Sequence, residues 1–83
     1  RPALHIAPGD VHWVNPARAM APGESRRFRV RIRYRQPLQE ARLFMRGNGV
    51  YLLFDTPQRG ITPGQFAAWY DDDELVGSGV IEA

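Results

Sequence analysis

From residue 27 to residue 35 the chain alternates without interruption. Arg27, Arg29, Arg31, Arg33 and Arg35 take the odd positions, and Phe28, Val30, Ile32 and Tyr34 take the even ones. Successive side chains of a strand point to opposite faces, so this alternation predicts a strand with one apolar and one guanidinium face. Arginines two apart on one face stand roughly 6.8 Å from each other, close enough to repel, and such a row calls for an anionic partner. Shorter apolar runs predict further strands at residues 11–14, 40–46, 50–55, 66–70 and 75–81. Prolines and glycines punctuate them at roughly the 8–12-residue spacing of all-β folds, and no stretch sustains a helical period.

Two turns set registers. Gly47-Asn48-Gly49 is a hairpin signal, because Asn-Gly accepts the positive φ angles of a tight turn. With Asn48-Gly49 as the turn, Met45 faces Leu52 and Leu43 faces Phe54 on one side. Arg46 then pairs with Tyr51, Phe44 with Leu53, and Arg42 with Asp55 on the other. A four-residue turn at 36–39 sets Val30 against Met45 and Ile32 against Leu43 on that same inner side. Outside, it sets Arg35 against Glu40, Arg33 against Arg42, Arg31 against Phe44, and Arg29 against Arg46. Slipping either register by one residue would turn arginines into the core. Six strands without a helix predict an all-β fold, a small six-stranded antiparallel β-barrel spanning residues 1–83 as a single domain, since closure removes exposed edges.

Composition narrows the function classes. A chain of 83 residues holds one core and buries about 60% of its unfolded surface. It has no cysteine, which excludes disulfides, thiolate metal sites and cysteine nucleophiles. No apolar run approaches the ~20 residues of a membrane span and no basic-then-apolar leader is present, so no membrane partner and a cytoplasmic location are expected. The start at Arg1, without an initiator Met, suggests a fragment of a longer protein. The net charge of +2 is carried by eleven arginines and no lysine. A GC-rich codon bias accounts for the missing lysine, but not for five of the eleven lying on one face of one strand.

Nothing in the chain assembles a reaction centre. His5 and His12 have no neighbours completing a metal-ligand set. Asp71, Asp72, Asp73 and Glu74 lack the spacing and central Gly of a Ca²⁺ loop and read as a solvated hairpin turn. Ser25 and Ser78 have no base at motif spacing, and no phosphate-binding Gly loop with Lys occurs. Gly77 and Gly79 mark a bulge or close backbone approach, and Trp13 and Trp69 read as core aromatics with a donor to satisfy. What stands out is the outer face: Arg29, Arg31, Arg33, Arg35, Arg42 and Arg46, interleaved with Phe44, Tyr51 and Leu53, against only Glu40 and Asp55. Guanidinium groups bind phosphate bidentately and flat rings stack on splayed bases, which suits RNA. The same pattern also suits a solvated face whose arginines cover the rings, or a structural barrel whose basic face docks on the catalytic domain of a parent protein.

Two segments carry a resemblance. Arg31-Ile32-Arg33-Tyr34-Arg35-Gln36 is followed by Ile61-Thr62-Pro63-Gly64-Gln65, Tyr70, an acidic turn and Gly77-Ser78-Gly79-Val80-Ile81. Together with Asp10-Val11-His12-Trp13-Val14, these resemble the C-terminal β-barrel domain of bacterial tRNA-specific 2-thiouridylases, long labelled tRNA methyltransferases. The resemblance covers nearly the whole chain. It departs mildly at Gly77-Ser78-Gly79, where the family has three glycines, and at Arg31, where it usually has Lys. It implies an accessory tRNA-binding domain that uses no cofactor of its own. ATP with Mg would serve the parent's catalytic domain, which adenylates the wobble uridine, and two cysteines there deliver persulfide sulfur from a sulfur-relay donor protein. An ATP-binding loop of the Ser-Gly-Gly-Val-Asp-Ser type is accordingly expected upstream of Arg1. The implied tRNA contacts fall on Arg33, Tyr34 and Gln65, with Arg29, Arg31, Arg35 and Arg42 alongside. Tyr34 falls on the inward side of the predicted strand, near its end, and Thr62-Pro63-Gly64 reads as a rigid turn that aims Gln65.

Overall fold

In a computed structural model describing residues 3–33 and 35–82, these residues form seven strands and two short 3-10 turns. The strands are β1 (Ala3–Ile6), β2 (Val11–Trp13), β3 (Ser25–Arg31), β4 (Gln39–Arg46), β5 (Gly49–Phe54), β6 (Phe66–Asp71) and β7 (Glu74–Val80). All pair antiparallel in one sheet of order β1-β5-β4-β3-β6-β7-β2. No helix among the described residues is long and apolar enough to cross a membrane.

The all-β class holds, but the architecture corrects the expected six-stranded closed barrel in two respects. A seventh strand, β1, adds to the far edge of β5 through Leu4↔Leu52 and Ile6↔Val50. The ladder also does not close on itself, although the sheet rolls far enough to bring its two ends together. Ile6 of β1 packs on Gly79 of β7, where an added Cβ would stand 2.7 Å from Ile6 Cγ2. Just beyond β7, the Glu82 amide donates to the His5 carbonyl at 2.8 Å. That bond covers part of the β1 edge, so the exposed backbone which closure would remove is partly satisfied by the tail instead.

Alternation along the strands builds the core. Leu4, Ile6, Phe28, Val30, Ile32, Ala41, Leu43, Val50, Leu52, Phe54 and Trp69 are all buried on the inner face. Arg27, Arg29 and Arg31 of β3 fall on the opposite face, as the alternation requires.

Both predicted registers are displaced, each by an even number of residues, so every side chain keeps its face. Across β3 and β4, Glu40 lies opposite Arg29 rather than Arg35. Across β4 and β5, Leu43 lies opposite Leu52 and Arg46 opposite Gly49, so the turn is Gly47-Asn48. The unforeseen strand β1 explains the second shift. Gly49 sits against the Ile6 carbonyl, where a Cβ would stand 2.1 Å from the oxygen, and its φ of 124° is accessible to glycine. On the same hairpin, the Asn48 carbonyl oxygen bonds His5 Nε2 at 2.8 Å.

The arginine strand also ends sooner than expected, at Arg31 rather than Arg35. The Ile32 amide donates to Gln36 Oε1 at 3.1 Å instead of continuing a ladder. The Gln36 amide then donates to the Arg33 carbonyl at 3.1 Å, closing a turn ahead of Pro37.

Candidate nucleic-acid interface

The sheet's outer face divides the arginine row into two electrostatic groups. Toward its start, Arg27 bonds Asp55 and lies 3.7 Å from Glu40. The Asp55 carboxylate raises the Arg27 guanidinium above its ordinary pKa, chiefly through that hydrogen bond. Arg29 lies 3.9 Å from Asp72. From the 3-10 turn after β2, Arg18 spans Asp71 and Glu74 of the β6–β7 hairpin at 2.7 Å each, and its pKa is raised in turn by the bond to Asp71. The expected ion pair of Asp55 with Arg42 is thus made by Arg27, a consequence of the shifted register.

Toward the end of the row the carboxylates disappear. Among the described residues, Arg31, Arg33 and Arg35 have no acidic partner within ion-pair distance, and neither has Arg42, which lies on β4 opposite Arg27. Arg42 donates to the Ser25 hydroxyl at 3.2 Å, and Arg35 is exposed in the turn after β3. Arg31 and Arg33 instead line an open concavity of about 560 Å³ between β3 and β6.

Its other walls are Ile32, Gln65, Phe66, Ala68 and Tyr70. Register places them: Arg31 pairs with Ala68 and Arg29 with Tyr70, so Phe66, Ala68 and Tyr70 share the outer face with the arginines. The Arg31 guanidinium lies 5.8 Å from the Tyr70 ring centroid, a cation–π approach that orients it. Its Nε is buried and has no hydrogen-bond partner among the described residues. A buried donor without an acceptor is costly, and a ligand oxygen in the concavity would satisfy it.

Gln65 is aimed by its turn, as the Thr62-Pro63-Gly64 sequence leads one to expect. Its Oε1 accepts from the Thr62 amide at 3.0 Å, and its backbone carbonyl accepts from the Ile81 amide at 2.7 Å. With Oε1 engaged, the side-chain amide presents its N–H donors. Arg33 is held by donation from Nη2 to the Arg59 carbonyl at 2.6 Å, which leaves its other N–H groups to bind elsewhere. The expected contact at Tyr34 lies outside the described residues.

The structure therefore gathers Arg31, Arg33 and Gln65 in one site, with Arg35 on the adjoining turn, and leaves Arg29 and Arg42 on neighbouring parts of the face. It adds Phe66, 66% exposed, which sequence reasoning passed over. A signal was present: with the bulky Trp69 assigned to the core, period-2 alternation turns Phe66 outward beside Gln65. The arrangement can do one kind of chemistry. It offers convergent donors to oxygen acceptors and two ring faces for flat groups, and no carboxylate lines it among the described residues.

Comparison with known sequences agrees with this architecture. The chain is 54% identical over 81 residues to the tRNA-specific 2-thiouridylase MnmA of Christiangramia forsetii, covering 98% of this chain and 20% of that protein. It is 53% identical over 79 residues to the protein of the same name from Flavobacterium johnsoniae, covering 95% and 20%. With that of Pseudomonas aeruginosa it shares 44% over 72 residues, covering 87% and 18%. The chain thus spans about one fifth of the length of the curated relatives it matches. The profile of the family described as the aminomethyltransferase beta-barrel domain matches residues 4–81, and the chain belongs to that family.

Proposed function

We propose that this chain is the accessory tRNA-binding domain of a tRNA 2-thiouridylase. Its work is positional: it holds the tRNA while another domain, outside this chain, transfers sulfur to the wobble uridine at the expense of ATP with Mg. Names of relatives such as the Christiangramia forsetii protein support the choice of tRNA as the partner. The observation that carries the reading is the concavity in which Arg31, Arg33 and Gln65 converge beside Phe66, free of carboxylates among the described residues.

Arginine forks engage phosphate and sugar oxygens and fix the orientation of the nucleic acid. Phe66 and Tyr70 supply flat faces on which an unpaired base can rest. Sulfur would reach the catalytic domain from a donor protein of the sulfur relay, and the site of action would be cytoplasmic.

Arg33→Ala in the full-length protein tests the reading. It should weaken tRNA binding and flatten its log–log salt dependence by about one unit, the signature of a lost phosphate contact. An unchanged slope with lowered thermal stability would instead favour a basic face docked on the parent's catalytic domain.

A further inference from the structure

Behind Arg33 two loops are joined by a closed circuit of amide hydrogen bonds. Gln36 Oε1 accepts from the Ile32 amide at 3.1 Å, and Gln36 Nε2 donates to Gln58 Oε1 at 2.8 Å. Gln58 Nε2 donates in turn to the Thr56 carbonyl at 2.7 Å. The circuit closes at its two ends. The Gln36 amide donates to the Arg33 carbonyl at 3.1 Å, and Arg33 Nη2 donates to the Arg59 carbonyl, immediately after Gln58, at 2.6 Å.

Gln58 is 6% exposed, and no other polar side chain is placed among the buried residues of the described chain. A buried amide adds little net stability even when fully bonded, because its bonds replace equally good ones to water. What it adds is geometric: a satisfied polar network admits one arrangement where apolar packing admits several. Here the arrangement it fixes is that of the segment supplying the Arg59 carbonyl, the anchor of the Arg33 guanidinium.

We propose that the Gln36–Gln58 pair is a positioning device that holds Arg33 in its RNA-binding conformation before RNA arrives. This inference rests on the tRNA-binding reading of the concavity. An arginine carries considerable rotamer entropy. Immobilising such a side chain on association typically weakens binding between about 2- and 13-fold, and the circuit removes that loss in advance.

The test is a double-mutant cycle in the full-length protein, with an unmodified tRNA transcript carrying uridine at the wobble position as the probe. Gln58→Met keeps the volume and removes the amide. Gln36→Ala breaks the circuit from its half-buried end and serves if the first variant fails to fold, as thermal unfolding would reveal. Each should weaken tRNA binding by roughly 2- to 13-fold, and neither should weaken it further in an Arg33→Ala background. Wild-type affinity in both variants, or losses that add fully to that of Arg33→Ala, would overturn the positioning role while leaving the RNA site intact. Wild-type affinity in Arg33→Ala alone would overturn the RNA reading itself, and the positioning role with it.

Discussion

The Trp69 indole lies across the backbone of Gly77, its cross-strand partner, so closely that a Cβ at 77 would stand 2.6 Å from Nε1 and 2.7 Å from two ring carbons. Trp69 is fully buried, and Trp13 meets it edge-on at 5.6 Å between ring centroids. The ladder is bulged here: Trp69 pairs with Gly77 but Tyr70 with Leu75, which leaves Val76 as the extra residue. The glycine expected to mark a bulge or close approach does both. Trp69 Nε1 finds no acceptor among the described residues, contrary to the expectation of a satisfied donor.

Gly77→Ala should therefore destabilise the domain through overpacking, by about 1–3 kcal/mol. In a domain of this size each kcal/mol lowers Tm by roughly 4–8 °C. Thermal unfolding followed by tryptophan fluorescence measures it. An alanine variant as stable as the parent would show that the ring can move aside at no cost.

The division of the arginine row gives a second prediction. Arg27 is already matched by Asp55 and Glu40, whereas Arg31 has an Nε beside the concavity that is unpaired among the described residues. Arg31→Ala should lower the log–log salt slope of tRNA binding by roughly 0.7–0.9, the release expected for one phosphate contact. Arg27→Ala should leave that slope unchanged. Equal effects from the two would mean that RNA reads the row as a uniform strip.

How much of this was legible in the sequence follows from the kind of signal each feature gives. The two faces of β3 could be read because strand periodicity is local and exact in parity, so displaced registers still put Phe28 and Val30 inside. The end of the strand could not. It is decided by the Gln36 side chain competing for the Ile32 amide, a local bond that propensity does not reveal. Strand β1 offered only Leu4 and Ile6 as inward positions, too short a pattern to stand apart from the flanking prolines. Gln65 was singled out by the family resemblance, and its Pro-Gly turn accounted for how the side chain is aimed. The outward turn of Phe66 could be read from alternation around Trp69, but its place beside Arg31 needed the register of β6 on β3, which no turn in the sequence fixes.

Phe66 carries a third prediction. It is the most exposed large apolar residue described, so removing it should leave stability nearly unchanged. If an RNA base stacks on its ring, Phe66→Ala should weaken tRNA binding by about 1–3 kcal/mol, with the salt slope intact because no charge is lost. Titrations at several salt concentrations separate this outcome from loss of a phosphate contact. Undiminished affinity would rule out stacking on Phe66 and leave recognition to the arginines, Gln65 and Tyr70.

Gly60 tests whether the loop behind the site sets the geometry of Arg33. Its φ is +67°, and a Cβ there would stand 2.2 Å from Arg33 Nη2. Alanine at this position meets two penalties. The left-handed backbone costs about 1–2 kcal/mol for a residue bearing a Cβ, and the methyl group displaces the guanidinium from the Arg59 carbonyl. The first penalty appears in stability alone, while the second appears in RNA binding. Gly60→Ala should therefore lower both Tm and tRNA affinity. In an Arg33→Ala background it should lower Tm without any further loss of affinity, because the group it displaces is already gone. Calorimetry paired with tRNA titration of the single and double variants reads the two penalties apart. A continued loss of affinity in the double variant would place the binding determinant in the loop itself rather than in Arg33.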